Sequence, residues 1–274
     1  MLITRRAFVR TGLAAGAGVL GAGAYGFAYE RNRVTITRTT IAVNGLPAEL
    51  DQLRIGILTD LHHGSLVSQQ HIVDAARVLM SARPHLIALL GDFVTWGDRT
   101  YAAGCAEALG ELSAPHGIFA ILGNHDDEQA VPRALTRQGF EVLADARTRV
   151  RIGGRTVGIA GIRFWTKRPA DLARVTGGPG DTILLAHDPR RLFEAAQLGV
   201  PLVLSGHTHG GQIVLPFMGA VAARKYPVAQ GVARARNSAL FVSRGVGTVF
   251  VPVRLNCPPE AAIVTLTGAG ATAD

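Results

Sequence analysis

The strongest constraint on this chain is a repeated one: a short apolar run that stops abruptly at acidic, amide or imidazole side chains. Ile55-Gly56-Ile57-Leu58 leads into Thr59-Asp60-Leu61-His62-His63-Gly64, and Leu86-Ile87-Ala88-Leu89-Leu90 into Gly91-Asp92. Ile118-Phe119-Ala120-Ile121-Leu122 leads into Gly123-Asn124-His125-Asp126, and Thr182-Ile183-Leu184-Leu185-Ala186 into His187-Asp188-Pro189. The last, Leu202-Val203-Leu204-Ser205, leads into Gly206-His207-Thr208-His209-Gly210-Gly211-Gln212. Continuous apolar runs of this length read as strands buried on both faces.

Between these runs lie amphipathic stretches. Residues 68–83 put Ile72, Ala75, Ala76, Leu79 and Met80 on one face and stop before Pro84. Residues 101–112, residues 128–138 with Gly139 as a C-cap, and residues 190–198 read the same way. Residues 34–43 alternate like an edge strand. Leu240-Phe241-Val242, residues 248–253 and residues 261–266 read as antiparallel strands that finish a second sheet. Strand and helix in alternation imply a layered α/β fold, in which ligands bind beyond the carboxyl ends of the strands. Five polar clusters placed there meet on one edge if the strands share a sheet.

In this order the clusters are D-x-H, G-D, G-N-H-D, H and G-H-x-H. The pattern resembles the calcineurin-like metallophosphoesterase superfamily, over roughly residues 50–266. Gly210-Gly211-Gln212 and the tail Asn256-Cys257-Pro258-Pro259-Glu260 are similar to its exported bacterial YkuE/YaeI-like branch. The resemblance implies two mixed β-sheets packed face to face with helices outside, a four-layer α/β/β/α sandwich. It implies two divalent ions, one held by Asp60, His62 and His209 and the other by Asn124, His187 and His207, with Asp92 between them. Imidazole, carboxylate and amide donors without thiolate suit Mn, Zn or Fe. The implied reaction is hydrolysis of phosphomono- or diesters by a metal-bridging hydroxide, with His125 as general acid and Asp126 orienting its ring. Two alternatives stand beside it: a membrane-associated pyrophosphohydrolase acting on a UDP-diacylglucosamine-type lipid precursor, and a non-catalytic metal-binding envelope protein.

The first 28 residues read separately from the domain expected over 29–274. Thr4-Arg5-Arg6-Ala7-Phe8-Val9-Arg10 precedes an uncharged, Gly/Ala-rich run to Tyr29. This resembles a twin-arginine signal, read by that export machinery, or an uncleaved anchor. Ala22-Gly23-Ala24 and Gly26-Phe27-Ala28 both offer small-residue cleavage patterns. The expected location is therefore the periplasm or cell envelope, with membrane association through this segment. Of the net charge of +8, Arg5, Arg6 and Arg10 account for three, so the remainder carries +5. No lysine-rich block or aromatic-basic stripe points to nucleic acid. Arg224, Lys225, Arg234 and Arg236 offer a basic rim for an anionic substrate, or simply a solvated face.

Cys105 and Cys257 form no disulfide framework and no metal spacing, and are expected as unpaired structural thiols. His63 reads as a hydrogen-bonding or substrate-side residue, and Asp98 and Asp188 as turn or helix caps. Phe93, Trp96, Trp165 and Phe217 offer an apolar wall, with core packing as the plainer reading. A monomer is expected, and residues 93–104, 163–180 and 214–238 are expected as loops that shape the pocket.

Overall fold

Alternation within the apolar runs decides how the layers stack. In the computed structural model, which describes residues 4–178, 180 and 182–268, Ile55 and Ile57 point one way along their strand and Leu58 the other. Two six-stranded sheets result. The first holds β1 (Thr35–Val43), β2 (Arg54–Leu58), β3 (Leu86–Leu89), β4 (Ile118–Ala120), β5 (Glu141–Val142) and β12 (Glu260–Gly268), in the order β1-β12-β2-β3-β4-β5. The second holds β6 (Ala146–Ile152), β7 (Arg155–Ile162), β8 (Thr182–Ala186), β9 (Leu202–Ser205), β10 (Gly231–Ala235) and β11 (Ser238–Val242), in the order β10-β11-β9-β8-β7-β6.

Between the sheets Ile55, Ile57 and Ala88 meet Ile159, Leu185 and Leu204. The opposite face of the first sheet packs Ile87 and Leu89 against α2 (Gln69–Met80), α3 (Ala102–Ala108) and α4 (Ala130–Arg137). On the far side Ala160, Leu184 and Val203 pack against α5 (Pro169–Thr176) and α6 (Arg191–Gln197). The four-layer sandwich implied by the resemblance is the observed one. The amphipathic stretch at 68–83 is α2, with Ser68 accepting the His71 N–H at 3.2 Å as its N-cap. Its Leu79 has no exposed surface, and burying such a side chain stabilises the fold by about 1.5–3 kcal/mol.

β2, β3 and β4 run parallel, as do β7, β8, β9 and β11. The five motif-bearing strands do not share one sheet: β2, β3 and β4 belong to the first and β8 and β9 to the second, and packing of the two sheets brings both sets of carboxyl ends to a common rim. β1 lies at a sheet edge as expected. Four sequence expectations need correction. β12 enters the first sheet, parallel to β1 and antiparallel to β2, because Ala262 and Val264 fill the space between the sheets. β11 does finish the second sheet, but its pairing with β9 is parallel. Residues 248–253 form no strand: the Gln212 side-chain amide bonds the carbonyls of Val249 (3.2 Å) and Val251 (2.8 Å) and accepts the Val249 N–H (3.0 Å), in place of a neighbouring strand. The expected loops at 163–180 and 214–238 contain α5 and β10.

At the N-terminus α1 (Arg5–Ala28) is a 24-residue helix. Among the described residues no helix is long and apolar enough to cross a membrane. Its end is fastened to the sandwich. The Gly26 carbonyl accepts the Arg254 N–H at 3.3 Å, and buried Glu30 accepts the Cys257 N–H. The Gly/Ala-rich tail at 269–274 lies outside the described residues.

Candidate metal centre

The loops that leave the strands are laced to one another by their backbones. Asp60 N–H bonds the Gly91 carbonyl, His62 N–H the Asp92 carbonyl, and Gly247 N–H the Asp60 carbonyl at 2.7 Å. Such lacing holds the chain in conformations it would otherwise avoid. Asp60 (φ 53°), His62 (50°), Asp92 (56°), His207 (73°) and His209 (53°) are all left-handed. Non-glycine residues there cost of order 1–3 kcal/mol each, and such strain gathers at functional sites.

The strained positions bring acid and imidazole together in two groups. Asp60, His62 and His209 offer ligand atoms within 4.8 Å of one another, and Asp92, His187 and His207 do the same. His62 Nε2 lies 3.1 Å from His209 Nε2, and His209 Nε2 lies 3.4 Å from Asp60 Oδ1. Asp92 Oδ2 lies 3.5 Å from His62 Nε2 and 3.2 Å from His187 Nε2, so that carboxylate touches both groups. Asn124 joins Asp92, His207 and His209 around one cavity. Its Oδ1 is buried with no hydrogen-bond partner. A buried polar atom left unpaired costs about 1–3 kcal/mol. An unpaired amide oxygen lone pair beside an acidic, imidazole-rich cage fits a cation.

Close packing fixes these groups. Both Asp60 oxygens accept the His207 N–H at 3.0 Å. A Cβ on Gly206 would run into that carboxylate and the Thr59 hydroxyl, and one on Gly123 would run into Asp92 Oδ1. His187 Nδ1 donates to the Leu90 carbonyl at 2.6 Å, so Nε2, which faces Asp92, is the nitrogen that would bind a metal once it gives up its proton. Behind the cage, fully buried Arg254 donates to the carbonyls of Arg244, Gly245, Gly247 and Cys257. That guanidinium fastens the 244–247 turn over Asp60.

Electrostatics follow from burial. It lowers His62 to about 4 and His207 to about 3, and takes His209 well below the usual imidazole range, so three rings are neutral near pH 7. Burial raises Asp60 to about 6. It opposes charge on both Asp92 and His187, but their mutual attraction wins: His187 is raised to about 10 and Asp92 is held below the carboxylate range.

His125 borders the cavity. Its N–H donates to Asp92 Oδ1 at 2.8 Å, and its ring stands edge-on to His62 at 4.9 Å. Asp126 does not orient that ring. Its carboxylate accepts the backbone N–H groups of Asp92 (2.8 Å), Phe93 (2.7 Å), Val94 (3.2 Å) and Gly123 (2.8 Å). The ring instead takes the Trp96 N–H on Nδ1 at 3.3 Å. Asp126 is spent on the loop that carries Asp92.

The remaining candidates sort cleanly. His63 Nδ1 meets the Tyr101 carbonyl at 2.9 Å, Asp98 accepts the Thr100 N–H, and Asp188 accepts the Arg190 N–H. Cys105 and Cys257 are free and buried. Of the four basic residues expected at a rim, Lys225 lines the cavity and Arg234 reaches the Ala42 carbonyl. Phe93 is core, Trp96 packs on His125 at 4.4 Å, and Trp165 packs on Phe164. Phe164 and Tyr226, which sequence reasoning missed, flank His207 at 5.1 and 5.4 Å. Neither stands in a polar motif, so no local signal marks them.

A double-sheet sandwich with two linked carboxylate–imidazole groups at its strand ends has the build of a metallophosphoesterase. The chain belongs to the calcineurin-like phosphoesterase family, which matches over residues 53–211. It is 31% identical over 281 residues to the uncharacterized metallophosphoesterase YkuE of Bacillus subtilis (strain 168), covering 96% of this chain and 98% of that protein. It is 33% identical over 251 residues to an uncharacterized metallophosphoesterase of Aquifex aeolicus (strain VF5), covering 86% and 92%. To phosphodiesterase YaeI of Escherichia coli (strain K12) it is 28% identical over 228 residues, covering 78% and 82%.

Proposed function

We propose that this chain hydrolyses phosphomono- or diesters at a two-metal centre, with His125 as proton donor to the leaving oxygen. The observation that carries the reading is the pair of groups joined through Asp92, with Asn124 Oδ1 left unpaired beside them. Asp60, His62 and His209 would hold one cation, Asn124, His187 and His207 the other, and Asp92 both. Bound there, Mn, Zn or Fe would supply an activated water and draw charge from the phosphoryl oxygens.

The protein's own groups do the rest. With Nδ1 occupied by the Trp96 N–H, the proton of the His125 ring is on Nε2. Burial holds this ring below the usual imidazole range, and an arriving phosphate anion raises its proton affinity again. Lys225 lines the same cavity and meets anionic charge. The cavity, of about 630 Å³, is walled mainly by apolar side chains such as Leu215, Val221, Phe250 and Val251. That wall favours an ester with an apolar leaving group, which keeps a lipid-linked pyrophosphate as the second reading. We also propose export through the segment carrying Arg5 and Arg6, supported by its paired arginines and acid-free length.

The test is turnover of nitrophenyl phosphate, its bis-ester and a lipid-linked pyrophosphate after reconstitution with each metal. Asp92→Asn and His209→Ala should lower turnover by roughly two to three orders of magnitude. Full metal content with no turnover of any ester would instead favour the non-catalytic metal-binding role.

A further inference from the structure

The rim of the cavity carries exposed apolar side chains, and its one flanking acid among the described residues is Asp98, which shares a depression with Trp96 and Phe250. Leu215 and Gly219 close a tight hairpin, their backbones bonded in both directions at 3.1 and 2.8 Å. The hairpin carries Phe217 at its tip, with left-handed φ of 63° and a relative exposure of 108%, followed by exposed Met218. Leu215 and Phe250 line the same cavity. Phe250 is 74% exposed and stands edge-on to Trp96, itself 69% exposed, with ring centroids 5.4 Å apart. Aromatic side chains gathered in water around a site mouth mark a contact surface.

Charge identifies what the surface meets. Between Glu194 and Glu260 the sequence holds no acidic residue. That stretch supplies Arg224, whose guanidinium donates to the Met218 carbonyl at 3.0 Å, and Lys225 on the cavity wall. The segment bearing Phe250 continues to Arg254, whose N–H fastens the Gly26 carbonyl at the end of α1. There Arg31 lies 4.2 Å over the Phe27 ring. α1 itself carries Arg5, Arg6 and Arg10 and no acid. A convex aromatic tip beside cations suits the headgroup region of a bilayer, where rings settle at the interface and Lys and Arg meet lipid phosphate.

We propose that this face docks on an anionic lipid surface. Phe217, Met218 and Phe250 enter the headgroup layer, Arg224 and Lys225 meet lipid phosphates, and the cavity opens onto the bilayer. The docking does not rest on hydrolysis and is read without turnover.

The experiment uses the full chain and vesicles of equal parts phosphatidylglycerol and phosphatidylcholine, with phosphatidylcholine alone as the neutral surface. Flotation should recover the protein with the anionic vesicles and little with the neutral ones, and salt should weaken the recovery. The double variant Phe217→Ser with Met218→Ser, at exposed positions outside the cavity wall, should bind about tenfold more weakly or worse. In a Trp165→Phe background Trp96 is the only indole, and its emission should shift to the blue on anionic vesicles. Equal recovery on both vesicle types would overturn the proposal. So would undiminished binding of the double variant, which assigns the membrane contact to α1 alone. A dimer that the double variant dissociates, with no vesicle binding, would make this face an interface between copies of the chain.

Discussion

His62 Nε2 and His209 Nε2 lie 3.1 Å apart, in rings stacked with 28° between their planes, and burial keeps both neutral. At most one of the facing nitrogens carries a proton toward the other; a cation satisfies both. Divalent metal at about a hundred times its dissociation constant should therefore stabilise the fold by roughly 2.7 kcal/mol. Differential scanning calorimetry with Mn²⁺ or Zn²⁺, against chelator, measures the shift. His209→Ala should lose one bound ion per chain in elemental analysis, and an unchanged metal count would contradict the ligand assignment.

His187 ties the metal-free protein to pH. Its folded pKa, raised to about 10 chiefly by Asp92 against the effect of burial, lies above the unfolded value near 6.5. Its contribution to stability is then complete below about pH 6.5 and is lost as pH rises toward about 10. Urea midpoints of chelator-treated protein should fall across that window, and less so for His187→Gln. Metal must displace the His187 proton, so affinity at that site should rise with pH, with one proton released from His187 per chain.

Replacing His125 separates proton donation from metal binding. His125→Ala should keep both ions and lose about 10²–10⁴-fold in turnover of esters with alkyl leaving groups. Nitrophenyl esters, whose leaving oxygen needs no proton, should lose far less. Equal losses on both kinds of substrate would deny His125 the role of proton donor.

Asp126 acts on shape. Four backbone N–H groups converge on its carboxylate. Asp126→Asn sets an amide nitrogen against those donors, and should cost about 2–4 kcal/mol in chemical denaturation. The same variant should lower metal occupancy at Asp92 while leaving the pH dependence of any remaining turnover unmoved. A shifted pH profile at full metal content would restore Asp126 to the proton-transfer step.

Much of this centre was legible before any coordinates. Asp60, His62, Asp92, Asn124, His187, His207 and His209 each follow a buried strand within a few residues; parallel pairing aligns them within each sheet, and only the stacking of the two sheets, which the sequence does not spell, brings the two sets to one rim. What stayed hidden depends on partners distant in sequence. Trp96 holds His125 through a backbone N–H that any residue but proline would supply. Arg254 looks like one more surface base until its five hydrogen bonds to carbonyls are seen. Val249 and Val251 carry strand-forming side chains, yet the Gln212 amide occupies the place of a neighbouring strand. Other misses had local signals: Pro169 at the first turn and left-handed Gly177 at the end bracket α5, and Gly153-Gly154 marks the β6–β7 turn.

The left-handed backbone at Asp60, His62, Asp92, His207 and His209 filters substitutions before any ion arrives. Asp, Asn and His enter that conformation more readily than other side chains, and glycine enters it freely. A randomised library sorted only for a folded, chelator-treated domain should still return those four residue types at these positions. Coordination chemistry and chain geometry thus draw on nearly the same short alphabet, and a lineage that stopped using the ions would have few spellings available in which to forget them.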